Sequence, residues 1–197
     1  MCVLTGCSTT DSGDSAPSTS AAAPTAAAST SGTGSSSIKV SVPPAPDQVV
    51  PATIGFDPCF RVTDSLIEQV GFDPESRERN ATEVAMLTLT KIGCTFHRSA
   101  TINGELAYTG FLTLTSSTEK LAEIGGNQVF DTTPIAGRPA VLYRSSMAIL
   151  TCDAAVESAD GTLLVSLTTP PAAIQPPEPC DQIREVAPVI ASALDTN

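Results

Sequence analysis

The sequence predicts an α+β domain: an antiparallel sheet of about five or six strands, flanked by N- and C-terminal helices and preceded by a disordered tether. Three observations predict it. Residues 8–37 consist wholly of Ser, Thr, Ala, Gly, Pro and Asp. Residues 57–71 and 180–194 place apolar side chains at helical spacing. Between those two stretches lie short alternating segments punctuated by Asn103-Gly104 and Asp160-Gly161, the signature of hairpin-connected strands.

The tether comes first. Residues 8–52 carry no aromatic residue and no 3.6 or 2.0 period, and such a composition cannot bury enough apolar surface to offset the entropy of ordering. As a coil the segment would hold its ends about 35 to 40 Å apart, with Pro43-Pro44-Ala45-Pro46 stiffening its last part. Residues 53–197 then form a single domain of about 145 residues, enough for one core.

Within the domain, Asp57-Pro58 opens a helix as N-cap and first helical residue. Phe60, Thr63, Leu66, Ile67 and Val70 recur at helical spacing, and Gly71 ends the run. Asp73-Pro74 and the charged stretch to Asn80 read as a loop. Glu83 to Thr90 reads as a strand or its approach, and Gly93 to Ser99 as a strand with Cys94 and Phe96 on one side, Thr95 and His97 on the other. After the Asn103-Gly104 turn, Leu106 to Leu114 alternates. A short helix over Thr118 to Ile124 stops at Gly125-Gly126. Strands are expected at Gln128–Asp131, Pro139–Arg144, Met147–Val156 and Thr162–Thr168, followed by Pro-rich residues 170–179. Cys180 to Leu194 closes the chain as an amphipathic helix with Ile183, Val186, Ala187, Ile190 and Leu194 on its apolar face, weakened at Pro188.

Leu4-Thr5-Gly6-Cys7 has the form of a bacterial lipobox, an apolar residue and two small ones before the cysteine that takes a diacylglyceryl thioether. The Ser/Thr/Ala tether directly after Cys7 favours this over a chance match. Residues 1–6 carry no Lys or Arg and are read as the remnant of a lipoprotein signal peptide. Two or more acyl chains anchor stably where one does not. The expected location is therefore the extracytoplasmic face of the cell membrane, with the domain held by Cys7.

A net charge of −11 argues against nucleic acid, since no basic patch is available to release phosphate counterions. It argues equally against direct docking on anionic headgroups. From residue 53 onward nine Lys/Arg face eighteen Asp/Glu, a domain charge of −9, which reads as solubility.

With Cys2 and Cys7 set aside, Cys59, Cys94, Cys152 and Cys180 remain, an even number that in an extracytoplasmic setting points to two disulfides. Three pairings exist. Cys59 and Cys180 each follow a Pro in the first turn of a flanking helix, whereas Cys94 and Cys152 each sit in a strand. That symmetry favours Cys59–Cys180 with Cys94–Cys152. Zinc is disfavoured, because there is no closely spaced cysteine pair and His97 is the lone histidine. No metal or other cofactor is expected.

Phe56-Asp57-Pro58-Cys59, Gly71-Phe72, Gly93-Cys94, Ala136-Gly137-Arg138-Pro139-Ala140, Cys152 and Pro179-Cys180-Asp181, in this order and behind a lipobox and tether, resemble the DUF3558 family of actinobacterial lipoproteins over roughly residues 54–196. Family members tend to read Cys-x-Trp where this chain has Cys94-Thr95-Phe96. The resemblance implies a cell-envelope lipoprotein and supplies no catalytic residues.

The residues point to no reaction. A Ser-His-Asp triad would have to use His97, and no G-x-S-x-G elbow accompanies it; a strand-face surface residue is the better reading. Glu119/Glu123 and Asp181/Glu185 repeat an i, i+4 spacing that could flank a glycosidic cleft but is normal on a solvated helix face. Gly104, Gly125 and Gly126 are turn glycines. Asn80-Ala81-Thr82 matches a glycosylation sequon that a bacterial lipoprotein would not ordinarily use. Phe96, Tyr108, Phe111, Phe130 and Tyr143 read as core and strand filler. The chain is therefore expected to be a non-enzymatic binding or interaction module that docks an envelope protein, a cell-wall polymer or a lipid. A carrier of a small apolar ligand between sheet and helices ranks second, and an envelope hydrolase third.

Overall fold

The computed structural model describes residues 38–45, 54–84, 89–124, 128–145, 150–172 and 174–196, with the backbone alone at 81–84 and 89–90. All belong to the second of two units, Ser35–Asn197. Cys7, the expected lipobox and Gly125-Gly126 lie outside the described residues, as does most of the expected tether. Ile38–Ala45, also expected to be tether, instead lies on the domain. Val42 is buried, the Lys39 N–H donates to Asp64 Oδ2 at 2.8 Å, and Arg79 Nε donates to the Pro43 carbonyl at 3.0 Å.

Among the described residues seven strands form one antiparallel sheet: β1 (Asp73–Val84), β2 (Leu89–Ile102), β3 (Glu105–Ser117), β4 (Gln128–Asp131), β5 (Ala140–Arg144), β6 (Thr151–Ser158) and β7 (Gly161–Thr168). Their order is β1-β2-β3-β7-β6-β5-β4. The sheet is thus two meanders, β1 to β3 and β4 to β7, joined where β3 pairs with β7 over Phe111↔Thr168 to Ser117↔Thr162. The seventh strand, beyond the five or six expected, is β1, which falls on the charged stretch read as a loop. It is an edge strand, and charge on an edge blocks further pairing. Pro74 and Arg77 are buried among its described side chains, and Arg77 sits under the helices because Asp64 neutralises it at 2.6 Å and the Phe96 ring lies 4.8 Å away.

The expected first helix is two shorter ones, α1 (Pro58–Arg61) and α2 (Asp64–Gln69). Asp57 caps α1 through the Cys59 N–H at 3.0 Å, and Thr63, the polar member of the helical pattern, caps α2 through the Leu66 N–H at 3.4 Å. A capping Thr in a β-region conformation starts a new helix rather than continuing the old one. The helix expected at 118–124 is a single 3-10 turn, Leu121–Glu123. The closing helix, α3 (Pro179–Ala191), forms as the pattern implies. Ile183, Val186, Ala187 and Ile190 are buried, and a 3-10 turn over Ser192–Asp195 follows.

α1, α2 and α3 lie on one face of the sheet, α1 against β2 and α3 against β6 and β7. The core fills the space between, with Phe96, Leu112, Leu114, Leu163, Val165 and Leu167 from the strands meeting Ile67, Ile183 and Ile190 from the helices. At Gly93, β2 and β3 run so close that a Cβ would stand 2.0 Å from the Leu114 carbonyl oxygen.

The disulfides are Cys59–Cys94 and Cys152–Cys180, each with Cα atoms 5.1 Å apart. This corrects the expected Cys59–Cys180 and Cys94–Cys152. β2 and β6 are separated by β3 and β7, three strand spacings or about 14 Å, beyond the roughly 7 Å that a bridge spans. The two flanking helices cover different halves of the sheet, and each cysteine helix is stapled to the strand beneath it.

Candidate functional site

The second and third strands outrun the sheet. β1 pairs with β2 only as far as Asp73↔His97, and β7 pairs with β3 only as far as Phe111↔Thr168. Arg98–Ile102 and Glu105–Gly110 therefore project as a two-stranded arm, closed by Asn103 and Gly104 at φ 53° and 84°. Positive φ at both turn positions is what Asn-Gly supplies and what the twist of a two-residue hairpin needs. Ile102 and Leu106 at the tip are 50% and 63% exposed.

An isolated hairpin is marginal in water, and this one is braced at its root. The Arg98 guanidinium lies 4.7 Å from the Phe72 ring and 5.9 Å from that of Tyr108, and Nη2 donates to Gln182 Oε1 on α3. Opposite it stands Gly110, where a Cβ would meet the Arg98 side chain at 2.7 Å. Burial lowers the Arg98 pKa from its ordinary value.

The face of the sheet away from the helices carries a polar row. Thr95, Thr113, Ser166, Asp153 and Tyr143 stand opposite one another across β2, β3, β7, β6 and β5. The hydroxyls of Thr95 and Thr113 are 3.4 Å apart, and Ser166 donates to Asp153 Oδ1. Glu119, beyond the end of β3, reaches across this face to Lys91 at 3.7 Å, and its carbonyl accepts from Thr162. Burial pushes the Asp153 carboxyl above the usual carboxylate range against the Ser166 hydrogen bond, and burial with the negative Asp153 and Glu119 pushes the Tyr143 phenol up. A carboxyl whose folded pKa is raised binds more protons folded than unfolded. Its contribution is favourable while it is protonated and is lost as pH rises from about 4, the unfolded value, through the folded one. Asp153→Asn keeps an acceptor for Ser166 and is expected to raise stability at pH 7 and flatten its decline above pH 4. Urea unfolding across that range measures both.

Where the arm leaves the sheet, on the same face, Asp73, His97, Arg98, Ser99, Thr109 and Phe111 line an open groove of about 240 Å³. His97 presents its ring to Phe111, centroids 4.9 Å apart in an edge-to-face arrangement, and its backbone N–H donates to Ser76 Oγ.

Among the described residues Lys39, Arg61, Arg98 and Lys120 are in no ion pair. Arg77, Arg79, Lys91, Arg138, Arg144 and Arg184 are each in an ion pair, and Arg61 donates to the Thr196 carbonyl. Exposed Asp73, Glu75, Glu105, Asp181 and Glu185 are in no ion pair among the described residues. Around the arm the free acids are Asp73 and Glu75 near its root and Glu105 at its turn, with the Arg98 guanidinium, held against Phe72 and Gln182, as a cation at the root.

Of the residues singled out from sequence, His97 and Phe111 meet in the groove and Tyr143 ends the polar row. Glu123 and Glu119 are separated, since Glu119 lies before the 3-10 turn and Glu123 accepts from the Lys120 N–H. Asp181 and Glu185 lie on the solvent face of α3 and Asn80 is exposed on β1. Phe96 is core, whereas Phe130 is 38% exposed under Arg184. Arg98, Asp153 and Ser166 were missed. An Arg and an Asp inside alternating strands were the available signal, since a charge at such positions needs a partner.

A family model described as a protein of unknown function, DUF3558, matches residues 2–192. No curated protein and no solved structure matches the chain.

Proposed function

The chain belongs to the DUF3558 family, and on that footing we propose that it is an extracytoplasmic lipoprotein, anchored through Cys7, that serves the cell envelope as a binding module. The single observation that carries the binding role is the projecting arm. Ile102 and Leu106, exposed at the end of a braced hairpin, offer an apolar contact surface clear of the sheet. The packed sheet–helix interface, with fully buried Phe96, Leu112, Ile183 and Ile190, favours a surface partner over an apolar ligand held inside.

Two measurements test this reading. Native mass spectrometry of protein extracted gently from membranes of cells making it with its full leader should give a mass beginning at an acylated Cys7; an unmodified Cys7 removes the anchor from the proposal. Ile102→Glu with Leu106→Glu should leave unfolding free energy within about 0.5 kcal/mol of the parent, as surface changes do, while lowering recovery of crosslinked partner at least tenfold. Equal recovery would locate binding elsewhere.

A further inference from the structure

Among the described residues the arm has two unpaired backbone edges, and they differ from the edges of the sheet. β1, the sheet edge on one side, carries Asp73, Pro74, Glu75, Glu78 and Arg79, and β4 on the other is four residues long. Both are forms of protection against pairing. Ser99-Ala100-Thr101-Ile102, the outer run of β2 beyond the end of β1, has neither charge nor proline. Among the described residues its outward backbone groups pair with nothing. A strand added there would lie in line with β1, and its first side chain would fall at the groove of Asp73, His97, Arg98, Ser99, Thr109 and Phe111. The groove is lined by the Asp73 carboxylate and the Phe111 ring, while the Arg98 guanidinium is drawn to Phe72 and Gln182 on the helix side; this lining suits a side chain with an apolar stem and a cationic head. The surrounding unpaired Glu75 and Glu105 and the domain charge of −9 complement the same sign.

We propose that the free edge of β2 over Ser99–Ile102 binds an extended segment of a protein partner by strand addition, with a Lys or Arg of that segment seated in the groove of Asp73, His97 and Phe111. Main-chain hydrogen bonds supply affinity in this mode, and the side-chain pocket supplies choice of sequence. The proposal rests on the arm being the docking element and adds the chemistry of what docks.

The test uses the full chain, ¹⁵N-labelled, and the capped peptide Ac-Val-Thr-Val-Lys-Val-Thr-NH2 at up to about 1 mM, the range in which an isolated strand is expected to bind. Amide shifts and slowed exchange should be confined to His97–Ile102. Norleucine in place of the peptide lysine should weaken binding at least tenfold, as should Asp73→Asn, whose fold is checked by near-ultraviolet circular dichroism. No change at about 1 mM, changes mapping elsewhere, or equal binding of the norleucine peptide would overturn it. If a partner still crosslinks to the arm tip while the peptide gives no change, the docking role stands and strand addition alone falls.

Discussion

Arg77→Ala is expected to lower stability by about 3 to 5 kcal/mol, the cost of stranding one member of a buried ion pair. The Arg77 side chain is wholly buried and that of Asp64 6% exposed, with 2.6 Å between them. Nη1 also donates to the Cys59 carbonyl at 3.0 Å. Removing the guanidinium leaves the buried Asp64 carboxylate at the start of α2 with the Lys39 N–H as its remaining donor among the described residues. For a domain of this size the midpoint should fall by about 10 °C. A buried pair replaced as a unit costs far less than one that is broken, so Arg77→Met with Asp64→Leu should lose less than either single change. Thermal unfolding of the three variants decides it. If the double variant lost the sum of the two singles, the pair would not be acting as a unit.

Loss of the second disulfide is the other large effect. Cys152→Ala with Cys180→Ala frees α3 from β6, a bridge spanning 28 residues of sequence, and should cost about 2 to 5 kcal/mol. The loss should be largely independent of the Cys59–Cys94 staple, which sits in the other meander. Single changes read out the pairing. Cys94→Ala should expose one thiol, at Cys59, with Cys152–Cys180 intact; a free thiol at Cys152 would restore the pairing suggested by the helix and strand symmetry. Alkylation followed by peptide mapping distinguishes them.

Much of the domain was legible because its strands alternate and its turns are chemically explicit. Asn103-Gly104 closes its hairpin with both φ values positive, and Gln128–Asp131 is a strand with the bounds its pattern gave. Charge hid β1, since an edge strand can face its carboxylates outward and bury an arginine that a distant aspartate neutralises. The break at Thr63 was hidden by its place in the helical spacing. The disulfide pairing was not legible because it depends on which half of the sheet each helix covers, a tertiary fact. The motifs that carry the family resemblance turn out to be structural. Asp57 caps α1 and pairs with Arg79, Ala136-Gly137 has the positive φ values of a tight turn, and Arg138 reaches Asp195. They report the fold, and the arm stands outside them.

The most direct test of the docking role is site-specific photocrosslinking in cells, with p-benzoylphenylalanine in place of Leu106 at the arm tip or of Glu157, exposed at the opposite end of the sheet. The account predicts one discrete adduct at Leu106, with none at Glu157, and its loss when Ile102→Glu is added. Adducts at Glu157 alone, or equally at both positions, would contradict it.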